Sequence, residues 1–174
     1  MKVAVFSYAR TGSTVLHQYI KKSLNHNGAA PPFTNEVFKK NFLKQAWKEE
    51  NIVVKFMFDF LPLVDEIKRY FDKVIFLSRL DDVKCAESFA QAKISGVWYK
   101  PYKYKKISKK HFIRHSALIK QQRIKVESLG GFQITYEELY FTSNGPKRLN
   151  EYLGIKTTEF IHLLYSRHKL RQND

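Results

Sequence analysis

The chain has 174 residues, of which 44% are hydrophobic and 15% aromatic, and it carries a net charge of +15 at pH 7. This composition excludes a disordered chain, and the length fits a single domain over residues 1–174 that buries roughly two-thirds of its unfolded surface. The N-terminal apolar run stops at Phe6, no run reaches the roughly 18 residues of a membrane span, and Cys85 is the only cysteine. We therefore expect a cytoplasmic protein with no secretion signal, transmembrane segment or internal disulfide.

Residues 3–6 are almost continuously apolar, which is typical of a strand that is buried on both faces. A short turn of small and polar residues follows, and apolar residues then recur at helical spacing up to about Asn27. The segment NGAAPPF ends this helix because it contains a glycine and two prolines. A second helix is expected over about residues 35–49.

The segments NIVVKFMF and DKVIFLS predict two more buried strands, and LVDEIKRYF between them predicts a helix. After the third strand, RLDDVKCAESFAQAKI predicts a helix that is capped by Asp81 or Asp82. The apolar face of that helix is expected to consist of Val83, Ala86, Ala90 and Ile94.

A basic helix is expected over about residues 108–128, followed by a fourth strand, FQITY, and by helices near 146–153 and 158–166. Strands that alternate with helices predict an α/β fold with three layers and a central parallel sheet. Ligands of such sheets bind beyond the carboxyl ends of the strands. The first turn, Lys55 in the second strand and Arg79 after the third are therefore expected at one edge of the sheet.

Positive charge is concentrated in one part of the sequence. No Asp or Glu occurs between residues 88 and 126, whereas ten lysines and arginines fall between residues 100 and 125. Such a segment attracts anions: nucleotides, phosphorylated or acidic substrates, nucleic acid or an anionic membrane face. For the individual lysines, a solvated surface that aids solubility is an equally good interpretation.

The turn after the first strand combines a cation, a glycine and three hydroxyl residues: Arg10, Thr11, Gly12, Ser13 and Thr14. The N–H groups that open a helix have no partner within it, and its N-terminal charge of about half a unit favours phosphate or sulfate. Gly12 would let the backbone approach such an anion closely. The alternative is an ordinary turn in which Thr11 or Ser13 caps the helix. The nucleoside-triphosphatase pattern Gly-x-x-x-x-Gly-Lys-Ser/Thr does not occur.

The motif YARTGSTVL resembles the 5′-phosphosulfate loop of sulfotransferases that use 3′-phosphoadenosine-5′-phosphosulfate (PAPS), in which a Lys or Arg precedes a small Ser/Thr-Gly-Ser/Thr-Thr turn. VIFLSRLDDVKCAESFAQAKISGVW resembles the second nucleotide motif of that family, in which a strand ends in Arg and a Ser on the next helix helps to hold the 3′-phosphate. The ISGVW ending, together with VVKFMF, ITYEELY and the terminal RQND, is similar to the bacterial trehalose-sulfotransferase-like branch.

This resemblance implies a P-loop-like sulfotransferase fold, PAPS as sulfuryl donor, 3′,5′-bisphosphoadenosine (PAP) as product, a hydroxyl acceptor and no metal. It assigns the 5′-phosphosulfate to residues 10–14, and the 3′-phosphate to Arg79 and Ser88. In the family the arginine and the serine stand eight residues apart, whereas here they stand nine apart and Leu80 fills the expected arginine position. Either Arg79 still reaches the phosphate, or a lysine of the basic segment substitutes for it. A strand-end arginine and a solvated serine are the structural alternatives.

Catalysis of sulfuryl transfer requires a base, in-line placement and positive charge on the leaving oxygen. Arg10 is the candidate for that charge because it lies in the loop and cannot lose its proton. The resemblance assigns the base to Glu36; its alternative role is to stabilise the first turn of a helix. His17 is the second candidate for the base. Lys55 interrupts an apolar strand, so it either reaches the active-site edge or forms a structural ion pair.

Other side chains have plainer interpretations. His111 and His115 lie four residues apart, as some zinc ligands do, but no third ligand is evident and a solvated helix face is favoured. Cys85 is expected to pack in the core. Tyr136 and Glu138 are expected to set a strand-to-helix turn.

We therefore interpret the chain as a sulfotransferase whose acceptor is a carbohydrate or glycolipid, with monomer and homodimer both open. The alternative is a basic nucleic-acid-binding protein without catalytic activity. That alternative is supported by lysines interleaved with Trp98, Tyr99, Tyr102 and Tyr104. A kinase-like enzyme is disfavoured because the loop lysine is missing.

Overall fold

The computed structural model describes residues 1–29, 36–96, 106–156 and 158–164, and at residues 36–39, 58, 59 and 111 it describes the backbone alone. The strands are β1 (Lys2–Ser7), β2 (Asn27–Ala29), β3 (Ile52–Met57), β4 (Lys73–Ser78) and β5 (Phe132–Thr135). The helices are α1 (Ser13–Leu24), α2 (Glu36–Ala46), α3 (Val64–Tyr70), α4 (Asp82–Ser95), α5 (Lys109–Glu127), α6 (Tyr136–Phe141) and α7 (Asn144–Leu153), and a 3-10 helix (Phe58–Leu63) precedes α3.

The strands of the described residues form one sheet, in which all neighbours pair in parallel in the order β2-β3-β1-β4-β5. The chain enters at the centre, builds the side with β2 and β3, and then crosses to add β4 and β5. The strand order therefore reverses at β1, and such a position forms a crevice at the carboxyl edge of the sheet. Ser7, the last residue of β1, pairs with Met57 on one side and Leu77 on the other.

Helices cover both faces of the sheet because successive side chains of each strand point to opposite faces. On one face, Phe6 stacks between Phe56 and Phe76 at ring-centroid distances of 5.2 and 5.4 Å, and helices α2 to α5 pack over them. On the other face, Val3 and Val5 pack against α1, α6 and α7. The predicted fold class is confirmed: an α/β fold with three layers and a central parallel sheet.

A short edge strand, β2, occupies a segment in which the sequence indicated only the end of a helix. The helix α1 ends at Leu24 because Asn25 adopts a left-handed conformation with φ of 51°. Residues 27–29 then pair in parallel with residues 52–54 of β3. The expectation that the helix continues to about Asn27 was therefore wrong, and the sheet has a fifth strand.

The buried face of α4 also differs from the prediction. Val83 and Ile94 are 55% and 37% exposed, whereas Cys85, Ala86 and Ala90 are buried. Half of the predicted apolar face was therefore wrong. The helix is rotated so that the thiol of Cys85 points toward the loop after β1, and the prediction that Cys85 packs in the core is confirmed.

Two helices begin where the sequence indicated. Asp81 accepts a hydrogen bond from the N–H of Lys84 at 2.9 Å and caps α4. Thr135 accepts one from the N–H of Glu138 at 3.1 Å, and α6 starts at Tyr136 directly after β5. The turn predicted around Tyr136 and Glu138 is thus present.

Some expectations concern residues outside the described part of the chain. These are residues 97–105 of the predicted irregular basic connection SGVWYKPYKYKK, residues 165 and 166 of the helix expected near 158–166, and the terminal RQND. Residues 158–164 are described: the chain turns through hydrogen bonds to the carbonyls of Thr158 and Phe160, and residues 162–164 are helical. Among the described helices, none combines the length and the apolar character that crossing a bilayer requires.

Candidate active site

The first loop, residues 8–12, connects β1 to α1 at the point where the strand order reverses. Two of its residues have left-handed backbones: Arg10 with φ of 70° and Gly12 with φ of 80°. A Cβ on Gly12 would lie 2.7 Å from Cε2 of Tyr140 and 3.0 Å from Cδ2 of Tyr136. The loop therefore needs a glycine at position 12 for its backbone conformation and for the close packing of α6.

Four carbonyl groups of the first loop are bonded to side chains of the protein. The donors come from the loop itself, from the residue after β4, from α4 and from α6. The bonds are Thr11 Oγ1 to Tyr8 O (3.0 Å), Cys85 Sγ to Ala9 O (3.3 Å), Arg79 Nη1 to Arg10 O (3.2 Å) and Tyr140 Oη to Gly12 O (2.7 Å). These four hydrogen bonds fix the loop through its carbonyl oxygens.

The N–H groups of residues 11–14 have no such partners. In the described part of the chain, the N–H groups of residues 11–14 donate to no backbone or side-chain acceptor. They lie at the N-terminus of the twelve-residue helix α1, whose first turn contains no acidic residue. A row of N–H donors at the positive end of a helix is suited to bind an anion.

Arg10 and Ser88 are brought together across the first loop. The Nε of Arg10 donates to the Oγ of Ser88 at 2.7 Å, and Ser88 is partly exposed on α4. The sequence associated Ser88 with Arg79, but the guanidinium bonded to Ser88 is that of Arg10.

Arg79 lies beneath the first loop. Its side chain is only 4% exposed, and its guanidinium carbon lies 4.7 Å from the centroid of the Tyr136 ring. Its Nε forms an ion pair with Oε1 of Glu137 at 3.8 Å. The backbone is fixed as well, because the hydroxyl of Tyr8 accepts from the Arg79 N–H and donates to the Arg79 carbonyl.

Lys55 reaches the start of α1 from β3. It pairs with Val5 in the sheet, and its Nζ donates to Oγ1 of Thr14 at 3.3 Å. Burial lowers the pKa of the Lys55 ammonium group. Among its described contacts, a hydroxyl rather than a carboxylate is the partner, so the structure adds a cation to the loop side of the sheet.

His17 is buried between α1 and the sheet. Its Nε2 lies 3.1 Å from the carbonyl oxygen of Val53, and a carbonyl only accepts, so this nitrogen carries the proton. Burial lowers the pKa of His17, and the nearby ammonium groups of Lys55 and Lys21 act in the same direction. The imidazole is therefore a neutral packing group that binds the strand.

Glu36 is the first residue of α2, and its side chain lies outside the described atoms, so its role as the base stays a prediction. His115 contacts the ring of Phe89, and the side chain of His111 is not described. No group of three or more potential metal ligands is present among the described residues. The aromatic residues that supported nucleic-acid binding lie within 97–105, also outside the description.

The sequence prediction missed the contribution of α6 to the site. Tyr140 holds the Gly12 carbonyl, Tyr136 covers Arg79, and Glu137 supplies the countercharge. The burial of Arg79 makes a carboxylate partner necessary, but that burial depends on contacts at long range and was not indicated by the sequence. The sequence did not indicate which of two adjacent glutamates provides it: Glu137 does, whereas Glu138 is bonded to an arginine of α7.

Comparisons with known proteins agree on the fold. Neither the protein-family models nor the curated proteins include a match to this chain. Among solved structures, a shikimate kinase from Aquifex aeolicus VF5 is similar at a TM-score of 0.61 and 14% identity, with 88% of this chain and 96% of that chain covered. A mouse sulfotransferase complexed with PAP is similar at 0.62 and 16% identity, and the match covers 95% of this chain and 64% of that one. The chain thus has the P-loop-like α/β fold of these proteins.

Replacement of Gly12 by alanine tests the close packing at the first loop, with Gly154→Ala as the matched control. Both glycines have left-handed backbones, with φ of 80° and 69°, so both variants lose about 1–2 kcal/mol of stability from backbone strain. Only Gly12→Ala also collides with Tyr140, since the Cβ of residue 154 has open space. In urea unfolding we expect Gly12→Ala to cost about 1–3 kcal/mol more than Gly154→Ala. Equal costs would contradict the described packing of α6 on the loop.

The neutral state of His17 predicts a pH-dependent stability. The folded-state pKa lies below the unfolded value of about 6.5, so the unfolded chain binds more protons as the pH falls. Stability from this group is complete above pH ~6.5 and is lost as the pH falls through the folded-state pKa. In urea unfolding, the free energy of unfolding should decrease less between pH 7.5 and pH 5 for His17→Gln than for the wild type. Replacement of the exposed His162 by glutamine is the control; a slope that His17→Gln leaves unchanged would rule out a neutral buried imidazole.

Proposed function

We propose that the chain is a PAPS-dependent sulfotransferase that transfers a sulfuryl group to a hydroxyl of a carbohydrate or glycolipid. One observation carries the proposal: the first loop bonds four of its five carbonyls to side chains and leaves the N–H groups of residues 11–14 as donors. Cations flank this row, with Arg10 before it and Lys55 at Thr14. Such a set of donors fits a phosphosulfate group, which is negatively charged on both its halves.

The 5′-phosphosulfate is assigned to the first loop and the start of α1. Thr11, Gly12, Ser13 and Thr14 would bind it through their N–H groups. The hydroxyl of Thr11 already donates to the Tyr8 carbonyl, so Thr11 contributes its N–H rather than its side chain. The hydroxyls of Ser13 and Thr14 remain candidates for further donation.

The 3′-phosphate is assigned to the surroundings of Ser88. The hydroxyl of Ser88 and the guanidinium of Arg10 are already in hydrogen-bond contact, so one phosphate could receive donors from both. The contact also explains how α4 and the first loop could act on a single nucleotide. PAP and PAPS carry two separate anionic groups, and the N–H row and Ser88 are two separate sets of donors, which the side chain of Arg10 links.

The donor nucleotide, when bound, supplies the sulfuryl group, and the residues of the chain bind, orient and move protons. The N–H row would hold the phosphosulfate in line with the acceptor. Arg10 would neutralise the charge that develops on the leaving phosphate oxygen, as a group that stays protonated. The pKa of Lys55 is lowered by burial, so its proton is easier to donate to the same oxygen.

Glu36 is proposed as the base that removes the proton of the acceptor hydroxyl. It opens α2, and the resemblance to the trehalose-sulfotransferase-like branch supports this role. His17 is less suited, because its protonated Nε2 is directed at the Val53 carbonyl and the ring is buried. The kinase alternative lacks the loop lysine, since Ser13 occupies its place in the pattern.

The first test compares the affinities of PAP and AMP, which differ by the 3′-phosphate. Isothermal titration at fixed ionic strength should give a Kd for PAP at least about tenfold lower, because the additional phosphate receives charge-assisted hydrogen bonds. Equal affinities would contradict the proposal. Weak affinities for both nucleotides that fall steeply with salt, with tight binding of single-stranded DNA, would instead support nucleic-acid binding.

The second test measures sulfuryl transfer from labelled PAPS to a set of hydroxyl acceptors. Glu36→Gln should lower kcat by about 10²- to 10⁴-fold because the base is lost, and Glu49→Gln, an exposed change beyond the end of the same helix, should leave it unchanged. Arg10→Ala should lower kcat as well, because it removes a charge from the leaving group. Full activity of Glu36→Gln would remove Glu36 as the base.

A further inference from the structure

The guanidinium of Arg79 is buried, so it cannot contact a ligand at the surface of the site. Its side chain is 4% exposed, and its Nη1 is directed at the Arg10 carbonyl at 3.2 Å. The guanidinium also contacts the carboxylate of Glu137 and the aromatic ring of Tyr136. A nucleotide phosphate that reached this guanidinium would have to displace the ion pair and open the packing of α6.

We propose that Arg79 is a positioning residue that holds the first loop from beneath, and that it does not contact the 3′-phosphate. The inference rests on the proposed function, since it concerns the binding of the same nucleotide. It reassigns the cation beside Ser88 to Arg10. Arg79 bonds the Arg10 carbonyl, and this bond fixes the backbone that carries the N–H groups of residues 11–14.

The backbone conformation of Arg10 requires such support. A left-handed conformation costs a residue other than glycine about 1 kcal/mol or more, so it persists only where neighbouring contacts fix it. A charged donor on the Arg10 carbonyl is a contact of this kind, and hydrogen bonds to charged groups are stronger than those between neutral ones. Loss of the donor frees the peptide after Arg10 to rotate, which would turn the N–H of Thr11 out of the row.

The position of Arg79 is fixed by its own neighbours. The hydroxyl of Tyr8 bonds both the N–H and the carbonyl of Arg79, at 2.8 and 2.9 Å. The carboxylate of Glu137 accepts from the N–H of Leu80 at 2.9 Å and from that of Asp81 at 3.3 Å. The backbone that follows Arg79 therefore fixes the Glu137 carboxylate, and the ion pair between Glu137 and Arg79 is formed before any ligand binds.

The one-residue shift in the motif has a structural counterpart. Leu80, at the position where the resembled family has its arginine, is 55% exposed, whereas Arg79 is 3% exposed. Adjacent residues at the end of β4 thus face opposite ways, one toward solvent and one toward the loop. An arginine at position 79 is therefore buried, whereas one at position 80 would be exposed to solvent. The buried guanidinium requires the carboxylate of Glu137 as its countercharge.

The test measures the affinities of the full chain for PAP and AMP by isothermal titration in the wild type, Arg79→Met, Arg79→Lys and Ser88→Ala. Both nucleotides carry the 5′-phosphate that binds the loop, so Arg79→Met should weaken both by the same factor of about ten or more. The preference for PAP should stay within about twofold of the wild-type value. Arg79→Lys should recover part of the loss, because an ammonium group can still donate to the Arg10 carbonyl. Ser88→Ala should reduce the preference itself.

Two outcomes would overturn the inference. One is an Arg79→Met protein that binds AMP as the wild type does but has lost its preference for PAP, which is the behaviour of a direct 3′-phosphate ligand. The other is a lowered melting temperature with both affinities unchanged, which is a role in stability alone. If wild-type protein binds the two nucleotides equally, the proposed function fails, and the common loss in Arg79→Met still decides the role of Arg79.

Should Arg79→Met not fold, Glu137→Gln provides the same test with the guanidinium in place. It keeps the size of the side chain but removes the countercharge, so Arg79 is held less firmly under the loop. Equal weakening of PAP and AMP is expected. A change confined to PAP, or no change for either nucleotide, would contradict a positioning role.

Discussion

The site depends on one constraint: four of the five carbonyl groups of the first loop are bonded to side chains, and the N–H groups of residues 11–14 are the ones left for a ligand. The donors lie far apart in sequence, and the parallel sheet brings them together because its strand order reverses at β1. They are Thr11, Arg79, Cys85 and Tyr140. A peptide group whose carbonyl is bonded on one side directs its N–H to the opposite side. The orientation of these N–H donors is therefore fixed before a ligand binds.

Burial makes the bond from Cys85 insensitive to pH, since it keeps the thiol protonated. It raises the pKa of the Cys85 thiol to about 12, so the thiol can donate to the Ala9 carbonyl throughout the physiological range. The same burial makes the charge of Arg79 costly unless it is paired, which Glu137 does. The apolar layers around β1 thus stabilise the polar loop at its end, because they exclude water and so strengthen each of its hydrogen bonds.

The sequence predicted the parts of the structure that depend on local patterns. The buried strands, the helix that begins at Ser13 and the polar loop between them follow from periodicity and small residues within a few positions. The parts it missed depend on contacts at long range. The edge strand β2 exists only because β3 pairs with it, and the burial of Arg79 depends on Glu137, 58 positions later. The rotation of α4 depends on small residues, whose periodicity is weak, so Cys85 was placed in the core without its contact to the loop.

The most direct measurement is a crystal structure of the chain with PAP. We expect the 5′-phosphate within hydrogen-bond distance of the N–H groups of Gly12, Ser13 and Thr14, and the 3′-phosphate beside Ser88 and Arg10. Arg79 should remain buried against Glu137, with no contact to the nucleotide. A loop that stays without ligand while PAP binds elsewhere, or a peptide that rotates so that these N–H groups bond within the protein, would contradict the assignment of the nucleotide to this loop.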